Sequence, residues 1–179
     1  ALIAAVRAIV EDVRARGWEA AAEHGRRLDG AAPLRVPVAE PAAAARRILS
    51  SEQLAAIELA ARNIALFHAG SVLSEHVVET MPGLVVRKVW RPLDRVGLYV
   101  PGGRTPLFST LLIALAAELA GIEAVWTVGG AQAIAAFAFG AGDIPAVAKI
   151  CGPGNAYVAE AKAYVTALPG GPAIDMPAG

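Results

Sequence analysis

Cysteine is almost absent from this 179-residue chain: Cys151 stands alone. An internal disulfide framework is therefore excluded, and a reducing compartment, the cytoplasm by default, is the expected setting. Charge imbalance is missing as well. Sixteen Lys and Arg against sixteen Asp and Glu give a net charge of zero, so no global field draws the protein to nucleic acid or to an acidic membrane surface. No run is long enough to cross a bilayer; the longest apolar stretch, Leu107 to Leu119, is broken by Ser109, Thr110 and Glu118. Neither standard phosphate fingerprint, G-x-G-x-x-G or G-x-x-x-x-G-K-[ST], occurs. Histidine is scarce. His24, His68 and His76 show no i, i+4 pairing and no accompanying carboxylate array, so no metal site is expected from them. An initiator methionine and a basic-then-apolar signal are also lacking, and the chain stops at Gly179 inside a turn; both ends read as cut from a longer protein.

What is present is apolar and alanine-rich. A hydrophobic content of 56% and a mean hydropathy of +0.51 suit buried parallel strands and tightly packed helices. The length allows one sizeable core, that is, one domain with an extra helical arm. Leu2, Ile3, Val6, Ile9, Val10 and Val13 recur at helical spacing before Arg16-Gly17 closes the helix. A second helical stretch, Trp18 to Leu28, ends at Asp29-Gly30, and the proline-punctuated segment from Ala32 to Pro41 leads into more helix. Ser50-Ser51-Glu52-Gln53 is a capping box opening a helix to about Phe67, with Leu54, Ile57, Ile64 and Phe67 expected inward. Residues 1–70 thus read as a helical arm, a scaffold or an oligomer contact. Residues 71–179 begin with a hairpin, Val77 to Thr80 and Leu84 to Trp90, turned by Met81-Pro82-Gly83.

From Arg95 the pattern becomes strand, glycine turn, helix, three times over. Val96 to Val100 leads to Pro101-Gly102-Gly103 and a helix from about Pro106. Ala124 to Val128 leads to Gly129-Gly130 and a helix from Ala131 to Phe139. Val147 to Cys151 leads to Gly152-Pro153-Gly154 and a helix from Asn155 to about Thr166, after which Ala173 to Met176 forms a last strand. The fold class that follows is α/β: a parallel Rossmann-like sheet with an N-terminal helical arm and a β-hairpin, the three glycine turns sharing the edge beyond the strands' carboxyl ends. Helix N-termini offer unpaired N–H groups, and glycine lets a phosphate approach the backbone, so these turns suit a nucleotide; equally, they suit plain strand-to-helix connections.

Five strings decide between those readings: Arg95-Val-Gly-Leu-Tyr-Val-Pro-Gly-Gly103, Thr105 to Thr110, Val128-Gly-Gly-Ala-Gln-Ala-Ile-Ala-Ala136, Gly152-Pro-Gly-Asn-Ala-Tyr-Val-Ala-Glu-Ala-Lys162 and Ile174-Asp-Met-Pro-Ala-Gly179. In that order they resemble the histidinol dehydrogenase family, as do the N-terminal helices through Asp12 to Gly17 and Asn63 to His68. The resemblance implies NAD-dependent oxidation of L-histidinol through histidinal to L-histidine, closing histidine biosynthesis, by a zinc-containing homodimer. It also implies NAD contacts at Tyr99, Gln132 and Asn155. Read without it, Tyr99 is a core-facing strand residue, Gln132 a solvated helix-start residue and Asn155 an N-cap.

Two departures accompany the match. The family's zinc ligands, a Gln-x-x-His pair followed by a later Asp and His, and its Glu-His acid-base pair lie beyond the point where this chain stops. No catalytic or metal-binding residue is therefore assigned. Cys151, ending an apolar strand with no histidine beside it, reads as a buried structural thiol, and Asp175 as a residue bonding the final turn. The second departure is internal: Leu111 to Ala116 runs straight into Ala117 to Gly121, where the family places about one further βα unit, so one sheet position is expected to be vacated and the Ala124 strand to pair with the Val96 strand or leave an open edge. The leading expectation is an incomplete, inactive portion of a histidinol dehydrogenase. The alternatives are a dehydrogenase on the same scaffold for another small alcohol, and a noncatalytic nucleotide-binding or oligomerising fragment.

Overall fold

A computed structural model describes residues 1–101, 116–122 and 124–175. The glycine pair Gly102-Gly103, the helix expected from Pro106 and the tail from Met176 lie outside the described residues.

The first helix, α1 (Leu2–Arg16), buries Val6, Ile9, Val10 and Val13 on one stripe, as its 3.6-residue periodicity requires. Ile3 falls off that stripe and is exposed. Gly17, at φ +61, ends the helix and starts the next, returning its N–H to Val13 O at 2.7 Å. In α2 (Trp18–Leu28) the fully buried Ala20 and Ala21 let the two helices pack closely. A polar network closes the elbow. Arg16 reaches back to Asp12 (2.6 Å) and across to Glu23 (3.0 Å), while His24 Nε2 meets Asp12 at 2.8 Å. The Arg27 guanidinium donates to His24 Nδ1 at 2.8 Å, so Nε2 carries the proton that goes to Asp12.

Beyond α2, β1 (Arg35–Val36) precedes α3 (Ala39–Ile48), which buries Ala42 and Ala45. Next comes α4 (Ser51–Ala69), opened by the expected capping box: Ser50 Oγ accepts from Gln53 N (3.2 Å) and Gln53 Oε1 from Ser50 N (2.9 Å). The inward face expected for α4 is not found. No residue of it is buried; Leu54 and Ile57 are half-covered, and Ile64 and Phe67 are 60% and 72% exposed, because no other element of the described chain lies against them. The hairpin of β2 (His76–Met81) and β3 (Leu84–Lys88) is likewise exposed along both strands, with a register irregularity between Glu79 and Met81 and a turn at Gly83 (φ +81) whose N–H donates to Glu79 Oε1.

The parallel sheet is smaller than the sequence implies. It holds β4 (Val96–Leu98), β6 (Lys149–Cys151) and β7 (Ala173–Ile174) in the order β4-β6-β7. The second strand, β5 (Val125–Trp126), does not join it. It pairs antiparallel with β1, Val36 opposite Val125, and Thr127 N donates to Leu34 O. Pairing of this strand with the Val96 strand is thus corrected: among the described residues β4 has a partner on one side only, and β5 finds its partner in the N-terminal segment. Residues 116–119 form a helical turn across Ala116-Ala117, and the residues just before it lie outside the described ones.

One core joins these parts. The helix after β5, α5 (Gly130–Phe139), lies over β4, where a Cβ at Gly97 would come within 2.9 Å of the Phe137 ring. The helix after β6, α6 (Ala156–Thr166), packs beside it, and α1 covers both, so that Val6, Val10, Ile134, Ile150, Val158 and Val165 share a single cluster. The first helix of the expected arm is therefore a wall of the α/β core.

The elbow network has a pH signature. Hydrogen bonds from Arg16, opposed by partial burial and reinforced by His24, hold Asp12 at about 2 against an ordinary 3.8. Its stabilising contribution is present above about pH 4 and lost as the pH falls toward 2. Urea unfolding of the chain and of Asp12→Asn should show a deficit in the variant at neutral pH that closes as the pH nears 2; a deficit constant across that range would assign the effect to something other than the carboxylate charge.

Candidate dinucleotide site at the glycine turns

Tyr99 follows β4 and is 8% exposed, its ring in the core cluster. Its backbone N–H donates to Cys151 O at 2.7 Å, extending the β4–β6 ladder by one bond. Its hydroxyl accepts from Gly130 N at 3.2 Å, at the first residue of α5. One tyrosine thus touches the second and third glycine turns. Burial, and then the nearby Asp29 charge, push its phenol upward against the opposing Gly130 bond, so the hydroxyl keeps its proton and can donate it onward.

The third turn is the most constrained. Gly152 adopts φ +116, and any Cβ there would lie 1.9 Å from Tyr99 O, so only glycine lets β6 turn away this close to β4. Both polar groups of Gly152 are held from one side: its N–H donates to Asp175 Oδ2 (2.7 Å), and its carbonyl accepts from Lys162 Nζ (2.6 Å). Lys162 Nζ also meets Asp175 Oδ1 at 2.6 Å, with the lysine side chain 1% exposed and the aspartate 37%. A buried ammonium thus fixes one peptide of the turn, its charge matched by the carboxylate that follows β7. Asn155 sits at the start of α6 as its N-cap, Oδ1 accepting from Tyr157 N (3.0 Å) and Val158 N (3.1 Å).

The second turn is held by the N-terminal helices. Gln132 is fully buried, not solvated, and its Nε2 donates to Asp29 Oδ2 at 3.0 Å across to the C-cap of α2. Its Oε1 is buried without a hydrogen-bond partner among the described residues, lying over Gly130, where a Cβ would come within 2.9 Å of it. An orphaned buried acceptor is costly, on the order of 1–3 kcal/mol, and beside a glycine turn it marks a place for a donor from outside.

The structure therefore brings Tyr99 and Gln132 to one turn and joins them, through the Tyr99–Cys151 bond, to the turn that leads to Asn155. Cys151 is half-buried rather than buried, and none of the three histidines belongs to this cluster. Among the described residues no three His, Cys, Asp or Glu groups stand close enough to hold a metal ion. Sequence reasoning missed Lys162 and Asp29. For Lys162 a signal existed: Val158, Ala161, Lys162 and Val165 follow i, i+3, i+4, i+7 and are all buried, so the lysine occupies the apolar stripe of α6. For Asp29 there was none beyond its place at a helix end.

The histidinol dehydrogenase family model matches the chain in two pieces, residues 1–115 and 112–179. The histidinol dehydrogenase of Escherichia coli K12 is 44% identical over 197 residues, taking in 96% of this chain and 45% of that protein; the enzyme of Salmonella typhimurium LT2 is 43% identical over 198 residues with the same shares. A crystal structure of histidinol dehydrogenase from Elizabethkingia anophelis superposes with a TM-score of 0.88 at 33% identity, covering all of this chain and 48% of that one. The chain spans about half the length of the curated relatives it matches. An alignment of 197 residues is longer than the 179-residue chain, so these relatives carry residues with no counterpart here, and the family match breaks near residues 112–115.

The Lys162–Asp175 pair can be tested by stability. Asp175→Asn removes the carboxylate charge that meets the buried ammonium at 2.6 Å, which should cost about 2–3 kcal/mol, below the usual range for a wholly buried pair because Asp175 is partly solvated. Lys162→Met should cost less than Asp175→Asn, and combining the two should cost less than their sum. Additive losses in urea unfolding would show that the two side chains act independently.

Proposed function

The chain belongs to the histidinol dehydrogenase family, and from that premise we propose that it forms the dinucleotide-holding portion of an enzyme oxidising L-histidinol to L-histidine at the expense of NAD. The observation that carries this reading is the meeting of the second and third glycine turns at Tyr99, with the orphaned Gln132 oxygen beside it. NAD, when bound, supplies the hydride acceptor. The protein's part is to hold it: Tyr99 presents a protonated hydroxyl, Gln132 an unsatisfied acceptor, and Asn155 the start of α6, all from rigid strand-to-helix junctions where misplacement is small.

Proton transfer and metal binding are not assigned to the described residues. Asp175 is engaged by Gly152 and Lys162, which leaves it a structural carboxylate rather than a base facing a substrate. No step is derived through zinc, since the described residues offer no ligand set that fits it. The exposed apolar faces of α4 and of the β2–β3 hairpin, with Leu66 and Phe67 exposed by 76% and 72%, support a homodimer in which another chain covers them. They equally favour a second reading, an oligomerising module that binds nucleotide without turnover. No described helix is long and apolar enough to cross a membrane, and a cytoplasmic setting suits the lone thiol.

Two measurements test the proposal. NAD titrated against the chain should bind weakly, because little surplus remains once association entropy is met, and Asn155→Ala should bind more weakly still; identical measurable affinities would remove Asn155 from the site. In an assay following NADH absorbance, the chain alone with zinc and histidinol should show no turnover, since a missing general base alone costs about 10²- to 10⁴-fold. Metal-dependent turnover free of any host enzyme would mean that a catalytic group lies among the residues described as structural.

A further inference from the structure

The N-terminus of α5 already faces a negative charge. The exposed Asp29 carboxylate lies against Gly129, the N-cap of α5, where a Cβ would sit 3.3 Å from Oδ2 and 3.4 Å from Oδ1, and Oδ2 takes the Gln132 amide hydrogen at 3.0 Å. Two physical consequences follow. The partial positive charge of this helix end is complemented from within the chain, so a phosphate placed here would meet a carboxylate at close range. Two polar side-chain atoms left over here are acceptors: among the described residues Asp29 Oδ1 makes no hydrogen bond, and Gln132 Oε1 is buried and unpartnered over Gly130. Unused acceptors beside a carboxylate suit a ligand group that donates, and the ribose hydroxyls of a dinucleotide are such donors.

We infer that the second glycine turn receives a ribose rather than a phosphate, and that Asp29, together with Gln132, sets the choice of dinucleotide by accepting ribose hydroxyls and repelling a 2′-phosphate. The assignment rests on the dinucleotide reading above and adds the part of the ligand that this turn takes. It places a specificity residue at the C-cap of α2, in a segment whose only sequence signal was a helix end.

The experiment compares NAD with NADP on the full chain by ligand-observed NMR at millimolar ligand, for the unaltered protein and for Asp29→Asn. Asparagine keeps an acceptor for Gln132 and removes the charge, and matching thermal unfolding midpoints establish that the variant folds. NAD should be preferred by the unaltered chain, and Asp29→Asn should shrink that preference by about tenfold, chiefly through tighter NADP binding. An unchanged NAD-to-NADP ratio in the variant, or no preference in the unaltered chain, overturns the role of Asp29 while leaving the dinucleotide site standing. Binding of neither nucleotide overturns the dinucleotide reading itself, and the ribose assignment falls with it.

Discussion

The Tyr99 side chain is the joint on which the α/β part of this molecule turns. Its amide continues the sheet from β4 into β6, its ring fills the core, and its hydroxyl ends on the first amide of α5. A phenylalanine would keep the packing and the ladder bond but strand the Gly130 N–H, in a place where a lost partner costs the desolvation of the group left behind. Everything else at the turns is arranged around that bridge. Gly152 is glycine because Tyr99 O occupies the space of its side chain, and the Lys162–Asp175 pair grips Gly152 from the far side. The second and third turns are therefore tied to each other through Tyr99, although their strands do not lie in one sheet.

The N-terminal helices belong to the same construction. By covering α5 and α6, α1 turns what would be a two-layer fragment into a closed core, and α2 delivers Asp29 to the start of α5. The polar elbow between α1 and α2 fixes the angle at which that delivery is made. Residues more than a hundred positions apart thereby share a hydrogen bond, Gln132 to Asp29, and the site cannot be understood from the strand-to-helix units alone. The far half of the helical segment behaves differently: α4 and the hairpin leave their apolar residues in solvent.

Local patterns were legible wherever the physics is local. The α1 stripe, the Ser50–Gln53 capping box, the hairpin turn at Gly83 and the N-cap at Asn155 all follow from a few neighbouring residues, and the structure has them where the sequence puts them. Partners were not legible. The periodicity of α4 says that one face is apolar, not that something covers it, and the strand character of Val125-Trp126 does not say which edge it will meet. Of the three candidate site residues, Asn155 was readable as a cap, whereas the burial of Gln132 was hidden because it depends on α2 arriving from the other end of the chain. Lys162 shows the reverse failing: the stripe it occupies was in view, but a charge at such a position reads as solvated until its counter-charge at Asp175 is known.

Cys151 has a property that its chemistry alone does not suggest. It is the sole thiol of the chain, partly exposed, and its own carbonyl is bound to Tyr99 while the next residue is gripped by Lys162 and Asp175. A probe attached to that sulfur would therefore ride on a backbone whose position is set by Tyr99 and the third turn. Without engineering any second cysteine or removing a competing one, the protein carries a built-in attachment point for a reporter of rearrangement at the Tyr99–Gly152 junction.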